Sequence, residues 1–284
     1  MNMEKIDREK PATLDDLLAA DARKINDQFG PIVQDDCSIA MDAFAGLDDF
    51  AILDDQRKIT AQEQQWSDAH TDNPKRLAWF QDKGLDTPEK RWQYWRARKA
   101  KSAAEKMEKA IVVLFNKMFG QDFIVVRTAR YDDYFSHVDT LIIDVKNKKV
   151  VGAFDEVRGE EDYQRNRDKA KKFQTVNGQG AQIKYGLTVQ DADGGRTLAR
   201  QKIDHLPLFI ISLNRQEVDD LAAALSASGP RAAGAGEKEI FQKLIKSLQA
   251  QINELEKNKE KISRAVWENS QSFKNLLADS EKFF

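Results

Sequence analysis

Two acidic residues stand beside short apolar runs in the middle of the chain. Asp139 precedes the apolar run 141–143, and Glu156 follows the apolar run 150–154. The polar segment 146–149 between the runs is typical of a turn, so we predict two antiparallel strands joined near residue 147. Counted from that turn, Asp139 lies about eight residues before it and Glu156 about nine after it, which places the two nearly opposite each other.

Paired carboxylates on neighbouring strands suit a hard divalent cation. Magnesium and manganese prefer carboxylate and water ligands. An ion held in this way can activate a water molecule and neutralise the charge on a phosphate. Side chains two apart on a strand share a face, so Arg158 points the same way as Glu156 and can stabilise a phosphate by its charge. The spacing therefore predicts a Mg²⁺ or Mn²⁺ site for phosphodiester hydrolysis.

The elements around these residues alternate between helix and strand. Apolar positions at steps of three and four predict a helix over 102–119, and Gly120 is the expected C-terminal glycine. The further predicted elements are strands at 123–126, 141–145, 150–154, 183–189 and 206–213, and helices at 160–176 and 216–226. This order favours an α/β fold with a three-layer core and a mixed sheet over residues 105–226. Residues 1–104 are predicted to form a helical N-terminal region.

The C-terminal part of the chain carries a heptad pattern. It follows a linker at 226–236 that is rich in Ala, Gly, Ser and Pro. Apolar residues between 241 and 276 alternate at steps of four and three, with polar interruptions at Lys259 and Asn269. This pattern predicts one long, coiled-coil-like helix over 237–284. The helix can pair with another chain, giving a homo-oligomer through residues 240–280, or fold back on the N-terminal helices.

Taken together, these residues resemble the PD-(D/E)XK nuclease superfamily. The resemblance rests on the helix with Glu105 and Glu108, the strand from Phe123, Asp139 at the head of a second strand, and Glu156-Val157-Arg158 at the end of a third. It covers roughly residues 102–215 and implies a restriction-endonuclease-like core. In that core a helix is followed by three antiparallel strands, a second helix and a further strand.

The resemblance also implies roles for individual residues. Asp139 matches the first metal-binding acid of the family, and Glu156 matches the second. Glu108, or alternatively Glu105, matches an acid that the first helix often adds. Arg158 stands at the position of the family's lysine, which orients the attacking water and contacts the phosphate. Polar residues of the next helix that some members place beside the phosphate correspond here to Tyr163 or Gln164.

Arg158 departs from the family pattern, and two alternatives stay open. Arginine keeps the positive charge of lysine, but its planar fork differs from a compact ammonium group and does not lose a proton. In one alternative Asp155 is the acid, which leaves Val157 at the lysine position. In the other, Lys169 or Lys172 from the next helix fills the space of the lysine.

Basic residues flank the predicted site and favour nucleic acid as the partner. The candidates for phosphate contact are Arg96, Arg98, Lys99, Arg165, Lys169 and Lys172. Trp92 and Trp95 are interleaved with the first three and can stack on unpaired bases. Because the formal net charge of the chain is -2, nucleic acid must be bound through such local patches rather than through a global positive field.

Composition narrows the class of protein. The chain has 284 residues, of which 32% are charged and 41% hydrophobic. It has no apolar run of about 18 residues, so we expect no membrane-spanning helix. One cysteine and three dispersed histidines argue against a disulfide or a Cys/His zinc cluster. We therefore expect a cytoplasmic, magnesium-dependent nuclease that prefers DNA to RNA. The alternative is an inactive nuclease-like protein that binds nucleic acid or assembles through its C-terminal helix.

Overall fold

The computed structural model describes residues 11–42, 47–69, 73–159, 163–193 and 195–280; side chains at 158, 163–170, 279 and 280 lie outside that description. The helices are α1 (Leu14–Phe29), α2 (Asp49–Ala69), α3 (Pro74–Asp82), α4 (Pro88–Lys99), α5 (Ala103–Phe119), α6 (Tyr163–Gln179), α7 (Arg215–Ser228), α8 (Ala235–Lys257) and α9 (Arg264–Ser280). The strands are β1 (Phe123–Arg127), β2 (Thr140–Asp144), β3 (Lys149–Arg158), β4 (Ala181–Ala192), β5 (Gly195–Leu206) and β6 (Leu208–Leu213).

The central sheet has its strands in the order β1-β2-β3-β6. β2 pairs antiparallel with both β1 and β3, whereas β6 runs parallel to β3. β4 and β5 form a separate antiparallel pair. The prediction of a mixed α/β chain is therefore confirmed. Across the described ranges, none of the helices is long and apolar enough to cross a bilayer.

Helix α5 carries Glu105 and Glu108 and packs on the sheet. It begins where the Ser102 side chain accepts a hydrogen bond from the Glu105 backbone N–H at 3.1 Å. It ends at Gly120, whose φ of 65° favours a residue without a side chain. The ring of Phe115 lies 5.5 Å from the ring of Phe154 on β3. α5 is therefore held against the strand that carries Glu156.

Buried polar contacts fix the N-terminal helix α2 to the rest of the chain. Asp55 is 1% exposed, accepts a hydrogen bond from the Tyr185 hydroxyl at 2.6 Å and pairs with Lys184 of β4. Glu63 is 3% exposed and accepts a hydrogen bond from the Tyr134 hydroxyl at 2.7 Å. A buried carboxylate is tolerated only when it is paired, so these two contacts define where α2 can lie.

Several element boundaries differ from the predicted ones. β4 extends to Ala192, into the segment 191–195 that was predicted as a loop. β5 was not predicted, because most of its residues are polar and only partly buried, which leaves no clear apolar alternation. The predicted helix start at residues 160–162 lies outside the described residues, and α6 is described from Tyr163. The linker between α7 and α8 spans only residues 229–234.

The prediction of one long C-terminal helix is wrong. α8 ends at Lys257, a single turn of 3₁₀-helix follows at Lys259–Lys261, and α9 begins at Arg264. Ile262 has an extended backbone, with φ -112° and ψ 150°, which breaks the helical hydrogen-bond ladder. Ser263 then caps α9, because its hydroxyl accepts a hydrogen bond from the Val266 backbone N–H at 3.3 Å.

The heptad residues of α8 and α9 pack on the α/β core of the same chain. The Phe241 ring lies 5.3 Å from the Phe115 ring, and the Phe273 ring lies 4.5 Å from the Phe209 ring. A Cβ added at Gly152 on β3 would lie only 3.2 Å from the Phe273 ring, so any larger residue would require this ring to shift. The heptad pattern thus reflects burial within one chain, and a homo-oligomer through residues 240–280 stays a prediction.

Replacing Phe273 by alanine should destabilise the fold by roughly 3–5 kcal/mol, because it removes a fully buried ring and leaves a cavity under β3. Urea denaturation followed by circular dichroism measures the change in the free energy of unfolding. The matched control is Phe50→Ala, since Phe50 on α2 is 82% exposed and its loss should change stability little. Equal stability of F273A and F50A would contradict this packing.

Candidate metal and phosphate site

The two acids predicted from the sequence meet where β2 begins. Thr140 is opposite Phe154 in the β2–β3 register, and the Asp139 backbone N–H donates to the Phe154 carbonyl at 2.8 Å. The Asp139 Oδ2 atom accepts a hydrogen bond from the Glu156 backbone N–H at 2.6 Å. The prediction that Asp139 and Glu156 lie nearly opposite each other is therefore confirmed.

The Glu156 carboxyl group is buried without a hydrogen-bond partner. The residue is 8% exposed, and neither Oε1 nor Oε2 has a partner within the described part of the protein. Burial of an unpaired carboxylate is costly, so such a group either holds a proton or binds a cation. Burial raises the pKa of Glu156 to about 8. The nearby side chains of Asp139 and Thr140 oppose this shift, and the charge of Glu108 adds to it.

Neighbouring acids raise one another's pKa values. The pKa of Asp139 is well above its ordinary range, first because of burial and then because of the charges of Glu156 and Glu108. Burial also raises the pKa of Glu108 to about 7, with Arg127 opposing the shift. The pKa of Asp133 is raised by burial as well. Closely spaced carboxylates repel one another when they ionise. A divalent cation bound among them relieves this repulsion, so such a cluster attracts the cation strongly.

Arg127, which was not predicted as a site residue, pairs directly with the acids of α5. Its Nη2 atom lies 2.8 Å from Glu108 Oε2 and 2.9 Å from Glu105 Oε1, and its Nη1 atom lies 3.3 Å from Asp36 Oδ2. Glu108, predicted as a third metal ligand, is therefore already paired with an arginine. The available signal was a basic residue directly after the apolar run 124–126, at the end of β1.

A cleft of about 600 Å³ opens at this point. Its lining includes four cations, namely Arg96, Lys99, Arg127 and Arg130. It also includes seven acids, namely Asp36, Asp42, Glu63, Glu105, Glu108, Asp133 and Asp139. Arg96 and Lys99 come from α4, so the N-terminal helices form one wall. Lys99 is fixed there by the Tyr134 hydroxyl at 3.1 Å from its Nζ atom. Glu156 lies behind Asp139 and is not part of the lining.

The donor set suits a magnesium ion that keeps several water ligands. Such ions are commonly bound through only one or two carboxylates. Asp139 and Glu156 supply these, and the partnerless oxygens of Glu156 are free to bind. Within the described residues, however, no group of three or more His, Cys, Asp or Glu side chains is arranged to hold a metal ion. The residues present fit two protein ligands rather than three.

The other predicted residues fall into three groups. Arg96 and Lys99 line the cleft, whereas Arg98 lies in an adjacent groove between α3 and α4. Lys172, an alternative for the family's lysine, pairs with Asp155, the alternative metal-binding acid, so each neutralises the charge of the other. The backbone of Arg158 ends β3 beside Leu213 of β6. The side chains outside the described set are Arg158, Tyr163, Gln164, Arg165 and Lys169.

Comparison of the chain with family profiles, with curated proteins and with solved structures finds no match.

Raising the pH from 5 to 8 should destabilise the metal-free protein. The pKa of Glu156 is about 8 in the folded chain against an ordinary 4.5, so the folded state keeps a proton that the unfolded state loses. The contribution of Glu156 to the free energy of unfolding is therefore fully present below pH 4.5 and is lost as the pH rises towards 8. Glu156→Gln should make stability nearly independent of pH between 5 and 8. At pH 8 this variant should therefore melt at a higher temperature than the wild type.

Thermal melts in EDTA between pH 5 and 8.5 measure this effect, and each 1 kcal/mol should move Tm by roughly 2–4 °C. Millimolar Mn²⁺ should raise Tm more at pH 8 than at pH 6, since the ion must displace protons. Asp139→Asn and E156Q should lose that shift. Glu239→Gln on the exposed face of α8 is the matched control. Superimposable profiles for E156Q and the wild type would rule out the unpaired buried carboxyl.

Proposed function

We propose that this chain is a metal-dependent nuclease of the PD-(D/E)XK type that hydrolyses phosphodiester bonds, in DNA rather than RNA. The observation that carries the proposal is the buried, partnerless carboxyl group of Glu156 beside Asp139. A buried carboxyl group of this kind binds either a proton or a cation, and a cation can replace the proton when Asp139 supplies a second ligand.

The order and pairing of the elements support the proposal. α5 is followed by three antiparallel strands, then α6, and β6 finally adds parallel to β3. This is the order that the restriction-endonuclease-like core requires. The predicted metal-binding acids lie at the head of β2 and near the end of β3, as in that family. The β4–β5 hairpin is an insertion between α6 and β6 in this scheme.

Each residue of the site has a chemical task in this mechanism. A bound Mg²⁺ would activate a water molecule and neutralise the charge that develops on the phosphate. Asp139 and Glu156 would hold the ion. Glu108, with a pKa of about 7, can take up the proton of the attacking water at its carboxylate. Lys99 would hold the phosphate from the opposite wall of the cleft, and Arg158 would stabilise the developing oxyanion.

A second candidate function is favoured by one observation. No preformed group of three acidic or histidine ligands occurs in the described residues, and Glu108 is paired with Arg127. This arrangement also fits a nuclease-like protein that binds nucleic acid without cutting it. The two functions differ in one property only, which is metal-dependent strand cleavage.

Cleavage of plasmid and single-stranded DNA with Mg²⁺ or Mn²⁺ tests the enzymatic function. Asp139→Ala and Glu156→Ala should each reduce the rate by roughly 100-fold or more, because each removes a ligand that positions the ion. Glu239→Gln serves as the control again, since its side chain is exposed and lies outside the cleft. No cleavage by the wild type, or cleavage that both alanine variants retain, would leave the binding function standing.

Arg158 is tested in the same assay. Arg158→Ala should lower kcat by roughly 100- to 1,000-fold, the loss expected when one group that stabilises an oxyanion is removed. Arg158→Lys keeps the charge and should retain most of the activity. Full activity of the alanine variant would assign the phosphate contact to Lys99 or Lys172 instead.

A further inference from the structure

A groove of about 770 Å³ lies beside the cleft, between α3 and α4. Its aromatic lining is Trp79, Phe80, Tyr94 and Trp95, and its cationic lining is Lys75, Arg76, Arg91, Arg98 and Lys99. Among the described residues, the side chains that line this groove include no aspartate or glutamate. The groove is therefore positively charged, although the chain as a whole has a formal net charge of -2.

Three aromatic side chains of the groove, Trp79, Phe80 and Tyr94, form one connected group. The Tyr94 ring lies 5.8 Å from the Trp79 ring and 5.7 Å from the Phe80 ring. Trp79 is 42% exposed, which is unusual for so large an apolar side chain. The Arg98 guanidinium carbon lies 5.8 Å from the Tyr94 ring centre, so a cation stands directly beside the aromatic surface. Flat rings with adjacent cations are what unpaired bases and their phosphates require.

Two residues that line this groove carry polar atoms without partners. Ser67 is 2% exposed, and its hydroxyl has no hydrogen-bond partner within the described part of the protein. The Nε atom of Arg91 is likewise buried without a partner, while its Nη1 atom donates to the Asp86 carbonyl at 2.9 Å. Both atoms have almost no exposed surface, so they lie beneath the groove, where a ligand held by its exposed rings and cations does not reach them.

We propose that the groove between α3 and α4 binds an unpaired strand of nucleic acid and leads it into the acidic cleft. Trp95 and Lys99 line both the groove and the cleft, so the two are continuous along α4. Bases stack on Trp79 and Tyr94, and Arg91 and Arg98 bind the phosphates. A duplex is not the ligand, because its bases already stack on each other and present no free face to Trp79. Delivery into the cleft rests on the proposed nuclease function, but binding to the groove does not.

Binding is measured by fluorescence polarisation with a labelled oligothymidylate in EDTA, so that no cleavage takes place. The unpaired strand should bind at least roughly tenfold more tightly than a duplex of the same length, since only its bases are free to stack. Trp79→Ala should weaken binding of the unpaired strand by roughly 5- to 150-fold, the range for loss of one stacked base. Trp79→Phe keeps a ring face and should retain most of the affinity, which separates stacking from a folding defect.

Matched controls separate the groove from general charge and exposed aromatic surface. Phe50→Ala removes a ring that is 82% exposed but lies outside the groove, and it should leave the affinity unchanged. Arg98→Gln should weaken binding and reduce its salt dependence by about one phosphate contact. Lys202→Gln on β5 removes an exposed charge elsewhere and should have no effect.

The outcomes distinguish this inference from the proposed nuclease function. Tight binding of the unpaired strand that W79A and R98Q weaken, without cleavage by the wild type in Mn²⁺, supports the groove and rejects the nuclease. If the wild type cleaves DNA and W79A and R98Q bind the unpaired strand with unchanged affinity, strand binding in the groove is rejected and the nuclease function is supported. Equal affinity of the wild type for duplex and unpaired strand also overturns it. An RNA oligonucleotide of the same length shows whether the groove distinguishes the sugar.

Discussion

Carboxyl groups held close together inside the protein are the constraint on which the rest of the site depends. Burial raises the pKa of Asp139, Glu156 and Glu108, and the charges of neighbouring acids add to the effect. Ionising these buried groups costs free energy. Arg127 offsets part of this cost at Glu108, and the Glu156 backbone N–H offsets part of it at Asp139. At the Glu156 carboxyl group the side chains of Asp139 and Thr140 offset only part of it. The charge of the cluster is therefore set by proton or cation binding.

The strand that carries Glu156 is held on every side, which keeps the acids together despite their repulsion. β3 pairs with β2 on one edge and with β6 on the other. Phe154, two residues before Glu156, contacts the rings of Phe115 on α5 and Phe273 on α9. A site on a strand packed in this way keeps its geometry better than one on a loop. The C-terminal helices thus support the site through packing within the same chain.

The N-terminal helices supply the other half of the cleft. Glu63 and Asp55 anchor α2, and α4 packs on α2 with Arg96 and Lys99 facing the acids. A cleft lined by both acids and cations suits a ligand that combines a divalent cation with a phosphate group. The aromatic groove continues from the same helix, so α4 connects a surface for bases with a surface for phosphate chemistry.

The sequence by itself determined the relation of Asp139 to Glu156, because the twofold period of strands and the position of one turn fix which residues are opposite. It also determined α5, whose apolar steps repeat every three or four residues. Tertiary structure alone decided that Arg127 pairs with Glu108, since the partners lie on separate elements and meet only through packing. It also decided that the heptad residues bury in their own chain, because a periodic apolar face specifies burial but not its partner. The extended backbone at Ile262 divides that helix. The polar interruption at Lys259 coincides with the break, but periodicity alone does not separate a break from a polar position within a continuous helix.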